Sequence, residues 1–98
     1  MAKVEWTVEA EDRLRQIHDY IAQDKPEAAF HLVEAIYRRV EILREFPESG
    51  HRFWKRPAEN VRILLYGHYR IAYRILPSGD VHVLGVFHGA MEIDRYLE

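Results

Sequence analysis

The amino-acid sequence predicts an α+β domain of order β-α-α-β-β-β, with a two-helix hairpin packed on one face of a mainly antiparallel four-stranded sheet. Two observations lead there. Between Val61 and His88, three runs rich in Val, Ile, Leu and Tyr are divided by turn sequences, and the middle run alternates apolar and polar residues. The first half of the chain instead repeats apolar residues at three- and four-residue steps. A period of two belongs to a pleated strand with one buried face, and a period near 3.6 to an amphipathic helix.

The elements follow in order. Lys3–Trp6, with Val4 and Trp6 on alternate positions, reads as a first strand. Thr7 is a natural N-cap, and Glu9, Glu11 and Asp12 behind it suit the positive end of a helix dipole. Ala10, Leu14, Ile17 and Ile21 then mark a helix of about four turns. Asp24-Lys25 breaks it, and Pro26 opens a second helix at the position where a missing N–H costs nothing. Its apolar stripe is expected to run through Ala29, Leu32, Val33, Ile36, Val40, Leu43 and Phe46 until Pro47 stops it. Such a hairpin is too thin to bury its own stripes and needs a sheet.

Glu48–Asn60 is expected to be the one substantial loop, holding Phe53, Trp54 and a cluster of basic side chains. Aromatics interleaved with Arg and Lys can stack on bases and hold phosphates, although one such aromatic more often seals a small satellite core. The strands Val61–Tyr66, Tyr69–Ile75 and Val81–Phe87 come next, joined by the two-residue break Gly67-His68 and the turn cluster Pro77-Ser78-Gly79-Asp80. In the middle strand Tyr69, Ile71, Tyr73 and Ile75 fall on one face and Arg70, Ala72 and Arg74 on the other. The second face is therefore expected to be partly wet and basic. Strand parity puts His82, Leu84, Val86 and His88 on one face, where Arg62, Arg70 and Arg74 could join them. The tail from Gly89 can supply a docked turn with Met91, Ile93 or Tyr96 inward.

Composition narrows the function. The 98 residues are 48% hydrophobic and 31% charged, which suits one globular domain spanning 1–98. With no cysteine, disulfides and thiolate zinc sites are excluded, in keeping with a reducing compartment. The N-terminus lacks an apolar signal core and nothing approaches a membrane span, so a cytoplasmic protein with no membrane partner is expected. Net charge is −2, which argues against a general nucleic-acid binder. Yet residues 1–50 hold 7 Lys/Arg against 11 Asp/Glu (−4), while 51–76 hold six cations against Glu59 (+5). That asymmetry suits an acidic partner segment or a nucleic-acid backbone, or it merely keeps a wet sheet face soluble.

Chemical motifs are sparse. Six histidines show no metal-ligand spacing, so neither a metal nor a cofactor is expected. There is no GxSxG, phosphate-binding glycine loop or dinucleotide fingerprint, and Ser49 and Ser78 both sit in turn sequence. One constellation remains: a strand-terminal His88 near Arg62, Arg70 and Arg74. It could hold an RNA phosphate and move a proton during 2′-OH attack, or His88 could simply cap its strand.

Several phrases in a fixed order resemble the RelE/ParE superfamily of toxins from type II toxin–antitoxin pairs, across nearly the whole chain. They are Trp6 ahead of Ala10, Leu14, Ile17, Tyr20 and Ile21, then Pro26, Ala28 and Ala29, then Leu43, Phe46, Pro47 and Gly50. Tyr69-Arg70-Ile71 with Tyr73, and Val86-Phe87-His88-Gly89, complete the series. The tail looks closer to the ParE branch, although Met91-Glu92 stands where that branch commonly carries a basic residue. The resemblance implies a plasmid-stabilisation toxin that poisons DNA gyrase by binding, without a nuclease site of its own, and is neutralised by a cognate antitoxin. Arg52, Arg62, Arg70, Arg74, His82, His88 and Met91 are the residues expected to meet the antitoxin or target. A RelE-like relative would instead cut messenger RNA on the ribosome, for which Lys55, Arg56, Arg62, His88 and Tyr96 are the matching candidates. A degenerate member that only pairs with an antitoxin is a third possibility. A homodimer or a toxin–antitoxin hetero-oligomer fits any of these.

Overall fold

A computed structural model describes residues 1–89 together with Ile93 and Arg95. Its elements are β1 (Val4–Trp6), α1 (Val8–Ala22), α2 (Pro26–Glu41), β2 (His51–Arg52), β3 (Val61–Tyr66), β4 (Tyr69–Ile75) and β5 (Val81–His88). They build two helices on a mixed sheet of order β1-β5-β4-β3-β2. β1 runs parallel to β5 and every other neighbouring pair is antiparallel. The α+β class therefore stands, and a fifth strand is added at the edge. β2 lies inside the segment read as loop, where His51 and Arg52 pair with Ile63 and Arg62. Two residues leave no run in which a strand period could be read. No helix among the described residues is long and apolar enough to cross a membrane.

Thr7 caps α1 as its sequence position implies. Its hydroxyl accepts the Ala10 N–H at 3.2 Å and donates to the Val83 carbonyl at 2.8 Å, so the cap also ties α1 to β5. Pro26 opens α2. This helix ends earlier than its apolar stripe, giving way to a 3-10 turn over Ile42–Arg44. The tighter turn keeps Leu43 buried but carries Phe46 outward, so the stripe ends one residue short of expectation, at Leu43. At the β3–β4 hairpin Gly67 supplies the positive φ, +56°, of a two-residue turn.

Two apolar clusters sandwich the sheet. On the helix side Ala10, Leu14, Ile36, Val40 and Leu43 pack on Leu64, Ile71, Tyr73, Val81, Val83 and Val86. On the other side Phe53, Val61, Ile63, Ala72, Phe87 and Ile93 form a second cluster, with Leu84 at its margin. The face expected to be wet and basic is thus apolar at its centre and cationic at its rim. The cause is that Phe53 and Ile93, from segments without strand or helix periodicity, fold back over it. β5 also bulges: Ala72 faces Gly85 while Tyr73 faces Val83, leaving Leu84 as an extra residue. Parity reverses across that point. Val81 and Val83 face the helices before it and Val86 after it, while Phe87 joins the opposite cluster.

Candidate interaction site

The expected basic face is divided by register. The Gly67-His68 turn sets Tyr66 against Tyr69, and so Arg62 against Tyr73 and Leu65 against Arg70. Directly paired residues point to the same side of a sheet. Arg62 consequently shares the helix side with Leu64 and Tyr73. Arg70 and Arg74 lie on the opposite side, with His82 beside Arg74 across the β4–β5 pair. His88, placed beyond the bulge, returns to the helix side opposite Tyr69. Arg62, Arg70, Arg74, His82 and His88 therefore do not form one face, because Arg62 is assigned by its turn and His88 by its bulge.

Arg62 has a structural task. Its guanidinium donates to the carbonyls of Glu48 at 3.2 Å and Gly50 at 2.8 Å, lies 3.8 Å from the Glu48 carboxylate, and is 11% exposed. The Tyr73 hydroxyl beside it donates to the Pro47 carbonyl at 2.6 Å and accepts the Gly50 N–H at 2.8 Å. Together they cinch the turn that leads into β2. Burial raises the Tyr73 phenol above its usual range and Glu48 adds to that, while the Gly50 N–H and Arg62 act in the opposite direction. Gly50 is needed at this spot, since an added Cβ would stand 2.7 Å from the Ile63 carbonyl oxygen and 2.8 Å from the Tyr73 hydroxyl.

On the far side Arg74 donates to the Glu59 carbonyl at 3.2 Å, and His82 lies 3.7 Å from the Glu5 carboxylate of β1. Arg70 stands beside half-exposed Leu65 at the rim of the outer cluster. In the β2–β3 connection Arg56 pairs with Glu59 at 3.1 Å, Lys55 lies 5.3 Å from the Trp54 ring centre, and Arg52 is exposed on the edge strand. Met91 and Tyr96 fall outside the described residues.

His88 borders a cleft of about 450 Å³ between α1 and the end of the sheet, lined by Arg13, Gln16, Ile17, Tyr20, Ile21, Tyr69 and Val86. β1 pairs only with Val81–Val83, and both the Thr7 N–H and hydroxyl converge on the Val83 carbonyl. Among the described residues, the β1 pairing therefore stops short of Leu84, and the part of β5 beyond it runs alongside this cleft. The Tyr69 ring meets His88 edge-on at 5.2 Å, the His68 ring is 6.1 Å from it, and burial raises the Tyr69 phenol above its ordinary value. Arg13 reaches across to lie 4.6 Å over the Phe87 ring. Sequence periodicity counted Ile17 and Ile21 as core and passed over Arg13, Gln16 and Tyr20. The available signal was Tyr20 itself, a large aromatic beside the apolar stripe that is 78% exposed.

The nuclease candidates do not converge. Arg62 is level with Tyr73 and His88 with Tyr69 on the same strand, four residues apart, or about 13 Å along the sheet before the lateral offset is added. No group of three or more metal-binding side chains occurs among the described residues.

Comparison with known proteins adds to this geometry. Residues 4–93 match the model of the ParE toxin of type II toxin–antitoxin systems. A protein of Sinorhizobium fredii, Y4kP, named as a candidate toxin, is 38% identical over 95 residues, covering 97% of this chain and 96% of its own. Among solved structures, a chain of the chromosomal ParDE toxin–antitoxin system of P. aeruginosa superposes with a TM-score of 0.75 at 24% identity, covering 92% of this chain and 98% of that one. A chain of the toxin–antitoxin complex RelBE2 of Mycobacterium tuberculosis gives 0.61 at 24% identity, with 89% and 96% covered. At that identity the two structures speak for the fold.

Proposed function

Because the chain belongs to the ParE toxin family of type II toxin–antitoxin systems, we propose that it arrests growth by binding DNA gyrase and is held inactive by a cognate antitoxin. Gyrase as the target follows from the ParE-like resemblance. The observation that favours binding over cleavage is the dispersal of the cationic candidates. Arg62 is spent on the Glu48 and Gly50 carbonyls, Arg56 on Glu59, and His88 sits at the far end of the sheet. Phosphoryl-transfer chemistry needs its base and its charge stabilisers around one reacting group, within about 3 Å each.

For the antitoxin we favour the α1–β5 cleft. An extended segment could lie along β5 beyond its pairing with β1 while its apolar side chains meet Ile17, Tyr20 and Ile21. Arg13, His68 and His88 around the rim would select acidic positions in such a segment.

The deciding experiment is a supercoiling assay beside a ribosome-bound message. Purified chain is expected to inhibit gyrase and leave the message intact. Cleaved message with unaffected gyrase would sink the binding reading in favour of the RelE-like one. His88→Ala then refines the outcome, being expected to leave gyrase inhibition in place. Arg62→Ala is a poor probe of chemistry, since it removes a structural clamp.

A further inference from the structure

The stretch joining β2 to β3 has a feature that gyrase binding and antitoxin docking leave unused. Phe53 and Trp54 are adjacent, yet Phe53 is 6% exposed and Trp54 is 76% exposed. Phe53 is locked into the outer cluster, and its N–H bonds the Val61 carbonyl at 2.9 Å, so the residue after it is presented from a fixed point. Trp54, Arg52, Phe53, Asn60 and Val61 line a cleft of about 250 Å³. That is below the roughly 300–1,000 Å³ of ordinary small-molecule sites and suits a single planar ring.

Charge around this cleft is one-sided. Within 51–60 the cations Arg52, Lys55 and Arg56 face the single acid Glu59, giving 3 − 1 = +2 on a chain whose net charge is −2. Arg74 comes up from β4 to bond the Glu59 carbonyl at 3.2 Å, adding a further positive charge beside Val61. An exposed indole costs solubility and contributes nothing to the core. Set among cations, it offers the two contacts by which single strands are held without sequence readout: stacking on a base face, and attraction to the phosphates on either side.

We propose that the Trp54 cleft binds single-stranded nucleic acid, with one unpaired base stacked on the indole and Lys55, beside the ring, and Arg74, beside Val61, drawing its phosphates. Binding is by stacking and charge, and no bond is broken. The site stands apart from the α1–β5 cleft and does not depend on gyrase being the toxin's target.

The test is fluorescence anisotropy of a labelled deoxycytidine oligomer of about eight nucleotides, within the ~4–16 typical of single-strand sites, titrated with the full chain. Saturable binding is expected, with a log–log salt slope between about −1.4 and −2.1, since each of two to three phosphates contributes roughly −0.7. Trp54→Ala should weaken it about tenfold or more and Trp54→Phe much less, with thermal midpoints unchanged because the side chain is exposed. A duplex of the same length, whose bases are already stacked, should bind more weakly. Three results would each overturn the proposal. They are no binding at protein concentrations up to about 1 mM in low salt, well past the ~0.1 mM weak end of non-specific binding, equal affinity for an abasic oligomer, and an undiminished Trp54→Ala variant.

Discussion

The two faces of the sheet are buried by different means. The helix side is covered by α1 and α2, whose apolar residues arrive at regular spacing and supply Ala10, Leu14, Ile36, Val40 and Leu43 together. The outer side is covered by isolated anchors, Phe53 from a connection and Ile93 from the tail, resting on Val61, Ile63, Ala72 and Phe87. A regular lid distributes its hydrophobic contribution over many contacts, whereas a lid of single anchors concentrates it in a few. The first resists local opening. The second leaves room at its rim for Arg70, Arg74, Trp54 and His82, and the exposed chemistry of the sheet gathers there.

Substitutions can break that contrast. The largest loss is expected from Ile36→Ala, which empties the fully buried helix side and should cost about 3–4 kcal/mol in denaturant unfolding. A value near 1 kcal/mol would mean that the helix lid is loose. Phe53→Ala is expected to cost less, about 2–3 kcal/mol, since its connection can partly collapse into the space. Amide exchange should speed up around β2 and the start of β3 while α1 and α2 stay protected. Uniform loss of protection would erase the distinction between the two lids.

Gly85→Ala comes next. The new methyl would meet the Phe87 ring at 2.6 Å, so that the ring must lift from the outer cluster, at about 2 kcal/mol. An unchanged melting temperature would show that Phe87 does not need to lie flat.

Tyr73→Phe is expected to cost about 1–1.5 kcal/mol by leaving the Gly50 N–H and Pro47 carbonyl without their partner. It carries a pH signature as well. Burial favours the neutral phenol in the fold, so its contribution is fully present below the ordinary tyrosine value near 10. As pH rises past that value the unfolded chain ionises first, and stability falls until the folded phenol also loses its proton. The variant should show a shallower alkaline decline, with a residual slope from Tyr69 and Tyr37, which are raised too. Parallel curves for the two proteins would contradict the assignment. Smallest of all, Arg70→Ala should move stability by less than about 0.5 kcal/mol, as expected at a rim position opposite half-exposed Leu65.

Much of this fold is legible in the sequence because its elements are periodic. Thr7 and Pro26 mark helix starts, Gly67-His68 marks a hairpin, and α1, α2 and the three long strands appear where the spacing places them. The side of Arg62 follows from the two-residue turn after Tyr66, which fixes its pairing with Tyr73, but counting within single strands misses it and groups Arg62 with Arg70 and Arg74. What was hidden lacked a period or needed a partner to define it. β2 is two residues long, Phe53 and Trp54 differ in burial although they are neighbours, and a bulge exists only as two residues on one strand against one on the next. For the same reason His88 could not be placed on its proper side by counting along β5 alone.

The bulge at Leu84 lets β5 absorb the loss of one residue at that point but not the gain of one beyond it. The strand sends His82 to the outer rim and His88 to the α1 cleft. Deleting Leu84 would let Gly85 follow Val83 directly opposite Ala72, so the bulge would close while Phe87 and His88 kept their present sides. In lineages carrying this chain, a one-codon loss here would leave both surfaces in place, whereas a one-codon gain between Val86 and Phe87 would turn Phe87 towards the helices and His88 away from them.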